Sequence, residues 1–404
     1  MQSQQPGPPV SKLVREMEES ATLKMASMAR ELREKGMDII DLSLGEPDFD
    51  TPHHIKEAAK TALDEGYTKY TPVNGLPELR KAIVNKLKRE YNLDYTLNEI
   101  VVSNGAKQSV YNLCRALLDE GDEVILPAPY WVSYYGIVKL AGATPIAVPS
   151  SIDNDFKCSP EAIEACITPR TKFILYSSPC NPSGSVLSLE DLEALAKMLQ
   201  KHPHVYVISD EIYQHINFTN HHYTMAAMEG MKDRTVIING MAKGYAMTGW
   251  RLGFTAGPEW IAKACTKIQG QVTSGASSFG QKAAAVALES DHGPTHDMVK
   301  AFKSRRDLII RLLEEIPLLR VNRPQGAFYI FPDVSGYFGK TSASGYEVKD
   351  ADDLSLYLLS EAHVSTVSGV AFGDPNCIRI SYATSEAKLT EAAQRIAAAL
   401  ASLK

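Results

Sequence analysis

Residues 205–213 read Val-Tyr-Val-Ile-Ser-Asp-Glu-Ile-Tyr, an apolar run that stops at a carboxylate. A run this short and this apolar reads as a strand buried on both faces. Six further runs read the same way: Ile100–Ser103, Glu123–Pro127, Pro145–Pro149, Lys172–Ser177, Thr235–Asn239 and Arg251–Ala256. Helical patterns separate many of them, among them Ala106–Leu118, Ser188–Lys201 and Pro258–Gln269. Such alternation predicts an α/β fold with a mostly parallel seven-stranded sheet, flanked by helices.

Working outward, residues 1–11 are polar and Pro-rich and read as a loose arm. A helix is expected over Ser20–Lys35, then a strand over Asp38–Leu44. Gly45-Glu-Pro-Asp-Phe-Asp-Thr-Pro52 punctuates the chain as a turn between units. Beyond about residue 290 the pattern changes to a long amphipathic helix (Thr295–Glu315), short strands (Ala327–Phe331, Ser365–Val367, Cys377–Tyr382) and a final helix from Ser385. This is a smaller α+β unit, completed by the N-terminal segment. The expected division is 1–47 (arm and part of the small domain), 48–293 (large domain) and 294–404 (small C-terminal domain).

A chain of 404 residues with 44% hydrophobic content can bury a large core. Its formal net charge of −6 gives no reason to expect nucleic acid or an anionic membrane as partner. No apolar run is long enough to span a bilayer. The N-terminus lacks the apolar core of a signal peptide. The six cysteines are scattered without a C-x-x-C pair, which reads as reduced thiols in a cytoplasmic protein. The pairs His53-His54 and His221-His222 read as surface loops, and no metal is expected.

The chemistry-bearing residues gather at strand ends, where open α/β sheets bind ligands. Asn104-Gly-Ala-Lys-Gln108 follows one strand and opens a helix, an arrangement suited to a phosphate or simply to a turn. Trp131, just past Glu123–Pro127, either packs in the core or stacks on a flat ring. Asn181 stands between Pro179 and Pro182 at the end of another strand. Asp210 could keep a ring nitrogen protonated, with Tyr213 offering its hydroxyl to the same ligand. Lys243 lies among small and apolar neighbours in Asn239-Gly-Met-Ala-Lys-Gly-Tyr-Ala-Met-Thr-Gly-Trp-Arg251. Burial there would favour a neutral amine, able to form a Schiff base with an aldehyde. Arg379 alternates with Ile378 and Ile380, and its planar guanidinium suits a carboxylate. There is no G-x-G-x-x-G and no Walker-type loop, which lowers the case for a dinucleotide or a nucleoside triphosphate.

In order along the chain, Leu44-Gly-Glu-Pro-Asp-Phe, Tyr70-Thr-Pro, Ser103-Asn-Gly-Ala-Lys-Gln, Pro129-Tyr-Trp-Val-Ser-Tyr, Asn181-Pro-Ser-Gly, Ser209-Asp-Glu-Ile-Tyr and Lys243-Gly-Tyr-Ala-Met-Thr-Gly-Trp-Arg-Leu-Gly resemble the class I, fold type I, pyridoxal-phosphate-dependent aminotransferases. The resemblance is closest to the bacterial-type aspartate aminotransferase branch. It implies a homodimer with shared active sites that moves the amino group of aspartate to 2-oxoglutarate in two half-reactions. The resemblance implies that Lys243 carries pyridoxal 5'-phosphate as a Schiff base and shuttles the substrate proton. It implies that Asp210 pairs with the ring nitrogen, that Tyr213 and Asn181 bond the ring oxygen, and that Trp131 stacks on the ring. By the same resemblance Gly105, Ala106, Lys107 and Arg251 hold the phosphate, joined by Tyr70 from the neighbouring subunit. Arg379, Asn181 and the Gly45 backbone would grip the substrate α-carboxylate. Lys107, with the Ser20-Ala-Thr22 segment closing over it, would select a distal carboxylate. Prephenate or aromatic aminotransferase activity, or a lyase, is the alternative on the same scaffold. A ligand sensor without turnover would need a DNA-binding element for which the N-terminal arm is too short. Two departures stand out: Ala242 where relatives commonly have Ser, expected to weaken cofactor retention, and Gly244 where Ala is more usual.

Overall fold

The computed structural model describes residues 9–17, 19–219 and 221–404. Residues 1–8 of the expected arm lie outside the described residues. A short helix, Lys12–Glu16, follows and is capped by Ser11.

The seven strands of the large sheet, in chain order, are β1 (Ile100–Ser103), β2 (Glu123–Pro127), β3 (Thr144–Val148), β4 (Thr171–Ser177), β5 (Tyr206–Asp210), β6 (Thr235–Gly240) and β7 (Gly253–Ala256). Their order across the sheet is β1-β7-β6-β5-β4-β2-β3. Pairing is parallel from β6 through to β3, and β7 runs antiparallel to both neighbours. Alternation along each strand decides what each face buries. Val101, Val124, Leu126, Phe173, Leu175, Ile208, Val236 and Ile238 join one core with helices Ala106–Leu117, Ser133–Leu140 and Glu259–Val272. Their strand neighbours Ile125, Ile174 and Val207 face the opposite way, onto Leu189–Leu199. Ile100, Val102, Ile237 and Phe254 do likewise, onto helices His53–Asp64, Pro77–Tyr91 and Ser278–Glu289. Both faces of the inner strands are covered, so those strands can be apolar throughout, whereas the edge strand β3, expected to be buried, leaves Thr144 and Ala147 exposed. Each fully buried aliphatic side chain contributes about 1.5–3 kcal/mol of transfer free energy.

The remaining elements form a separate core around helices Gly293–Glu314, Ala351–Glu361 and Glu386–Ala401. A three-stranded antiparallel sheet orders Val367–Ser368, Ile378–Ser381 and Tyr329–Ile330. Ile40–Asp41 pairs in parallel with Val364–Ser365. The single strand expected over Ser365–Val367 is two strands, because the chain leaves one sheet at Ser365 and enters the other at Val367.

The histidine pairs correct a second expectation. His53 and His54 open a helix, and His54 Nε2 lies 2.9 Å from Ser290 Oγ. His221 is exposed, but His222 is buried 3.3 Å from the carboxylate of buried Glu211. No described helix is long and apolar enough to cross a membrane.

Candidate active site

One end of the sheet collects the expected residues because of its topology. Asp210 ends β5, Asn181 follows β4, Trp131 follows β2, Gly105 follows β1 and Lys243 follows β6. Arg251 precedes β7, yet it reaches the same edge. β7 is antiparallel, and its first residue, Gly253, pairs with the last residues of β1 and β6, Ser103 and Gly240.

At the start of helix Ala106–Leu117 the Gln108 and Ser109 nitrogens donate to the Gly105 carbonyl, and the N–H groups of Ala106 and Lys107 precede that first intrahelical bond. Gly105 adopts φ +83° there, and a Cβ on it would come within 2.6 Å of the Arg251 guanidinium. A Cβ on Gly253 would collide with the Ala106 nitrogen. Both glycines thus let a cation and a helix N-terminus converge, which makes an anion cup. Arg251 itself sits at φ +54°, a left-handed turn that delays β7 to Gly253 instead of the expected Arg251. Lys107 Nζ lies 5.0 Å above the Trp131 ring. Desolvation and the nearby Arg251 lower its pKa.

Asp210 is buried. Its Oδ2 accepts a 2.7 Å hydrogen bond from Tyr134 Oη and its Oδ1 one of 3.2 Å from the Ile212 nitrogen. Burial pushes its pKa up to about 6, and the Tyr134 bond acts against that rise. Lys243 Nζ donates to the Gly45 carbonyl and lies 5.7 Å from the rings of Tyr213 and Phe328. Burial pulls its pKa down to about 8; Glu46 opposes the shift, while Arg379 and Arg251 reinforce it. Asp210 is the further charged neighbour of this amine.

Arg379 is buried in its strand, with 1% exposed. Nη1 donates to Asn181 Oδ1 at 2.9 Å and Nη2 to the Ser43 carbonyl. Its Nε is buried without a partner. The guanidinium lies between the rings of Tyr329, at 4.5 Å, and Phe372, at 5.0 Å. Asn181 presents its carbonyl oxygen to Arg379, which leaves its NH2 to donate elsewhere. Ala21 packs in the cluster that contains Phe372, and the hydroxyl of neighbouring Thr22 is buried without a partner.

Tyr70 is the one expected site residue that stands apart. It is 99% exposed on this chain and makes no contact with the cluster. Ala242 is buried, and Gly244 is explained by His215: a Cβ at residue 244 would lie 2.7 Å from His215 Cδ2. Two residues of the site carry no signal of their own in the sequence. Tyr134 closes the Pro129–Tyr134 segment, in which Trp131 is the residue that stands out. Tyr329 touches Gly45, Tyr213 and Arg379, and nothing in its local pattern marks it.

The arrangement fits a phosphorylated pyridine aldehyde. It has an anion cup, a buried carboxylate for a ring nitrogen, a half-buried amine of lowered basicity, and a buried guanidinium with one donor unspent. A separate hollow of about 480 Å³ is lined by Asp38, Tyr357, Glu361, His363 and Arg395, but none of the site residues line it. Arg395 there is already paired with Asp38 and Glu391. Among the described residues no cluster of His, Cys, Asp and Glu could hold a metal.

Residues 37–396 match the family model described as aminotransferase class I and II. A protein of Cereibacter sphaeroides named aspartate/prephenate aminotransferase is 46% identical over 95% of this chain and 96% of its own length. An aspartate aminotransferase of Rhizobium meliloti is 45% identical over 94% of this chain and 93% of its own. Among solved structures, an aspartate aminotransferase from Rhizobium meliloti superposes with a TM-score of 0.95 at 44% identity, covering 98% of this chain and all of that one. The Thermus thermophilus aspartate aminotransferase with maleate gives 0.91 at 39% identity, over 97% of this chain and 100% of that one.

Proposed function

This chain belongs to the class I and II aminotransferases and is a pyridoxal-phosphate-dependent transaminase, and from that premise we propose that it moves the amino group of L-aspartate to 2-oxoglutarate, giving oxaloacetate and L-glutamate. The observation that carries this reading is the convergence of one half-buried amine, Lys243, with the buried side chains of Asp210 and Arg379 among its charged neighbours. Dicarboxylate choice rests on a second cation, Lys107, across the site.

Pyridoxal phosphate, when bound, supplies an aldehyde for the substrate amine and a ring that accepts the electron pair released at the substrate Cα. Gly105, Ala106 and Lys107 would hold its phosphate through their backbone, and Arg251 through its guanidinium. Asp210 would face the ring nitrogen and keep it protonated, the Tyr134 hydroxyl holding the carboxylate in place. Tyr213 and the Asn181 amide would donate to the ring oxygen, and Trp131 would cover the ring.

Arg379 binds the substrate α-carboxylate, with Asn181 and the Gly45 backbone beside it. A buried guanidinium with an unpartnered Nε is strongly attracted to such an anion. Lys243 Nζ, of lowered basicity, would take the proton from the substrate Cα and deliver it to the cofactor's aldehyde carbon. Lys107 receives the distal carboxylate of aspartate or glutamate. The Ser20–Thr22 segment closes over it, where the unpartnered Thr22 hydroxyl is available. The loss of a hydroxyl at Ala242 weakens cofactor retention by about 1 kcal/mol. Tyr70, fully exposed on one chain, completes the phosphate site of a second, which makes the working unit a homodimer. Six unpaired cysteines support a reducing compartment, the cytoplasm.

A relative named aspartate/prephenate aminotransferase favours prephenate as a second amino acceptor. A panel of aspartate, phenylalanine and alanine as donors, against 2-oxoglutarate and prephenate as acceptors, tests both readings. Aspartate with 2-oxoglutarate should be the fastest pair. Turnover of phenylalanine with no turnover of aspartate would refute the assignment.

A further inference from the structure

Tyr329 lies at 0% exposure in the strand Tyr329–Ile330, yet touches three parts of the site. Its hydroxyl is 2.8 Å from that of Tyr213. Its ring lies 4.5 Å beneath the Arg379 guanidinium. Its hydroxyl also abuts Gly45, where a Cβ would collide with it. We propose that Tyr329 is a positioning residue whose hydroxyl donates to Tyr213 and thereby aims the Tyr213 hydrogen into the site, while its ring seats Arg379. The proposal deepens the functional reading above and rests on it.

Only one of the two hydroxyls can donate across the 2.8 Å contact. A cation over a phenol ring draws electron density from the oxygen and makes its O–H the better donor. Arg379 is always charged and lies 4.5 Å from the Tyr329 ring; Lys243 titrates and lies 5.7 Å from that of Tyr213. Tyr329 is therefore the donor and Tyr213 the acceptor. Tyr213 then keeps its own hydrogen for the cofactor's ring oxygen, and accepting one bond strengthens the one it gives. The charged groups facing this pair are Arg379, Lys243 and Asp210.

The test is a pH titration of the absorbance of the bound cofactor in holoenzyme without substrate. It compares wild type, Tyr329→Phe, Tyr213→Phe and the double variant. Tyr213→Phe should raise the midpoint, because it removes a donor that stabilises the deprotonated chromophore. Tyr329→Phe should raise it by a smaller amount, roughly half to one pH unit. The double variant should match Tyr213→Phe alone, since Tyr329 acts through Tyr213. Tyr329→Phe keeps the ring under Arg379, so KM for aspartate should stay within about threefold, whereas Tyr329→Leu should raise it about tenfold or more. Gly45→Ala, which pushes on the Tyr329 hydroxyl, provides a second route to the same upward shift. An unmoved midpoint in both Tyr329→Phe and Gly45→Ala, or full additivity in the double variant, overturns the proposal. A wild-type protein that forms no chromophore would overturn the functional reading, and this inference with it.

Discussion

Tyr134 donates its hydroxyl to Asp210 Oδ2 across 2.7 Å, with both side chains buried. The bond holds one carboxylate oxygen while the Ile212 nitrogen holds the other. It also opposes the rise in the Asp210 pKa that burial causes. Asp210→Asn, which cannot carry the charge, should lower the single-turnover rate with aspartate by about 100-fold or more. Tyr134→Phe removes one hydrogen bond to a charged group and should cost about 10-fold. Stopped-flow absorbance with saturating aspartate separates these rate losses from changes in binding. Equal rates for wild type and Tyr134→Phe would remove Tyr134 from this role.

Lys107 lies over Trp131 and beside Arg251, so its amine is held near the ring it is expected to overlook. Lys107→Ala should reduce kcat/KM for aspartate by about 100-fold and for alanine or phenylalanine by less than about threefold. Steady-state kinetics on the three donors decides the matter. A uniform loss would make Lys107 part of phosphate binding alone.

Gly244 follows the reactive lysine and lies against His215, whose ring stacks 5.7 Å from His292. Gly244→Ala should therefore destabilise the protein by about 1–3 kcal/mol through overpacking. His215→Ala should relieve most of that cost in the double variant, because the two substitutions share one contact. Denaturant midpoints for the four proteins measure the coupling. Additive effects would mean the ring does not limit residue 244.

The same histidine makes stability depend on acid. Burial holds its pKa down to about 3, well below the ordinary value of 6.5. Between those values the unfolded chain binds a proton that the native protein refuses, so stability falls as pH drops through 6.5 towards 3. Asp210, raised to about 6, contributes the opposite slope between its ordinary 3.8 and 6, but equally in wild type and variant. His215→Asn should flatten the acid loss of thermal stability relative to wild type. Parallel Tm–pH curves over this range would contradict that reading.

The large sheet was legible because its inner strands are buried on both faces. Continuous apolar runs such as Val205–Ser209 are too short for a helix and too apolar for a surface loop. Strand edges slipped where backbone geometry intervened, as at Arg251, whose left-handed φ holds β7 off until Gly253. The strand expected over Ser365–Val367 failed because short strands with both faces buried carry no signal of which sheet they join. Asp210 and Asn181 could be singled out at strand ends, and Lys243 among its small and apolar neighbours, while the roles expected of them came from the family resemblance. Tyr134 and Tyr329 could not be singled out, since their roles arise from contacts with partners 76 and 116 residues away in the chain. His222 was misread because burial against Glu211 depends on the fold, not on its sequence neighbours.

The central claim is that the amine of Lys243 forms the covalent link to pyridoxal phosphate. Borohydride reduction of the purified holoenzyme, followed by peptide mapping, tests it most directly. The account predicts one phosphopyridoxyl adduct per chain, on Lys243, and none in Lys243→Ala. An adduct on another lysine, or wild-type protein that takes up no label, would contradict it.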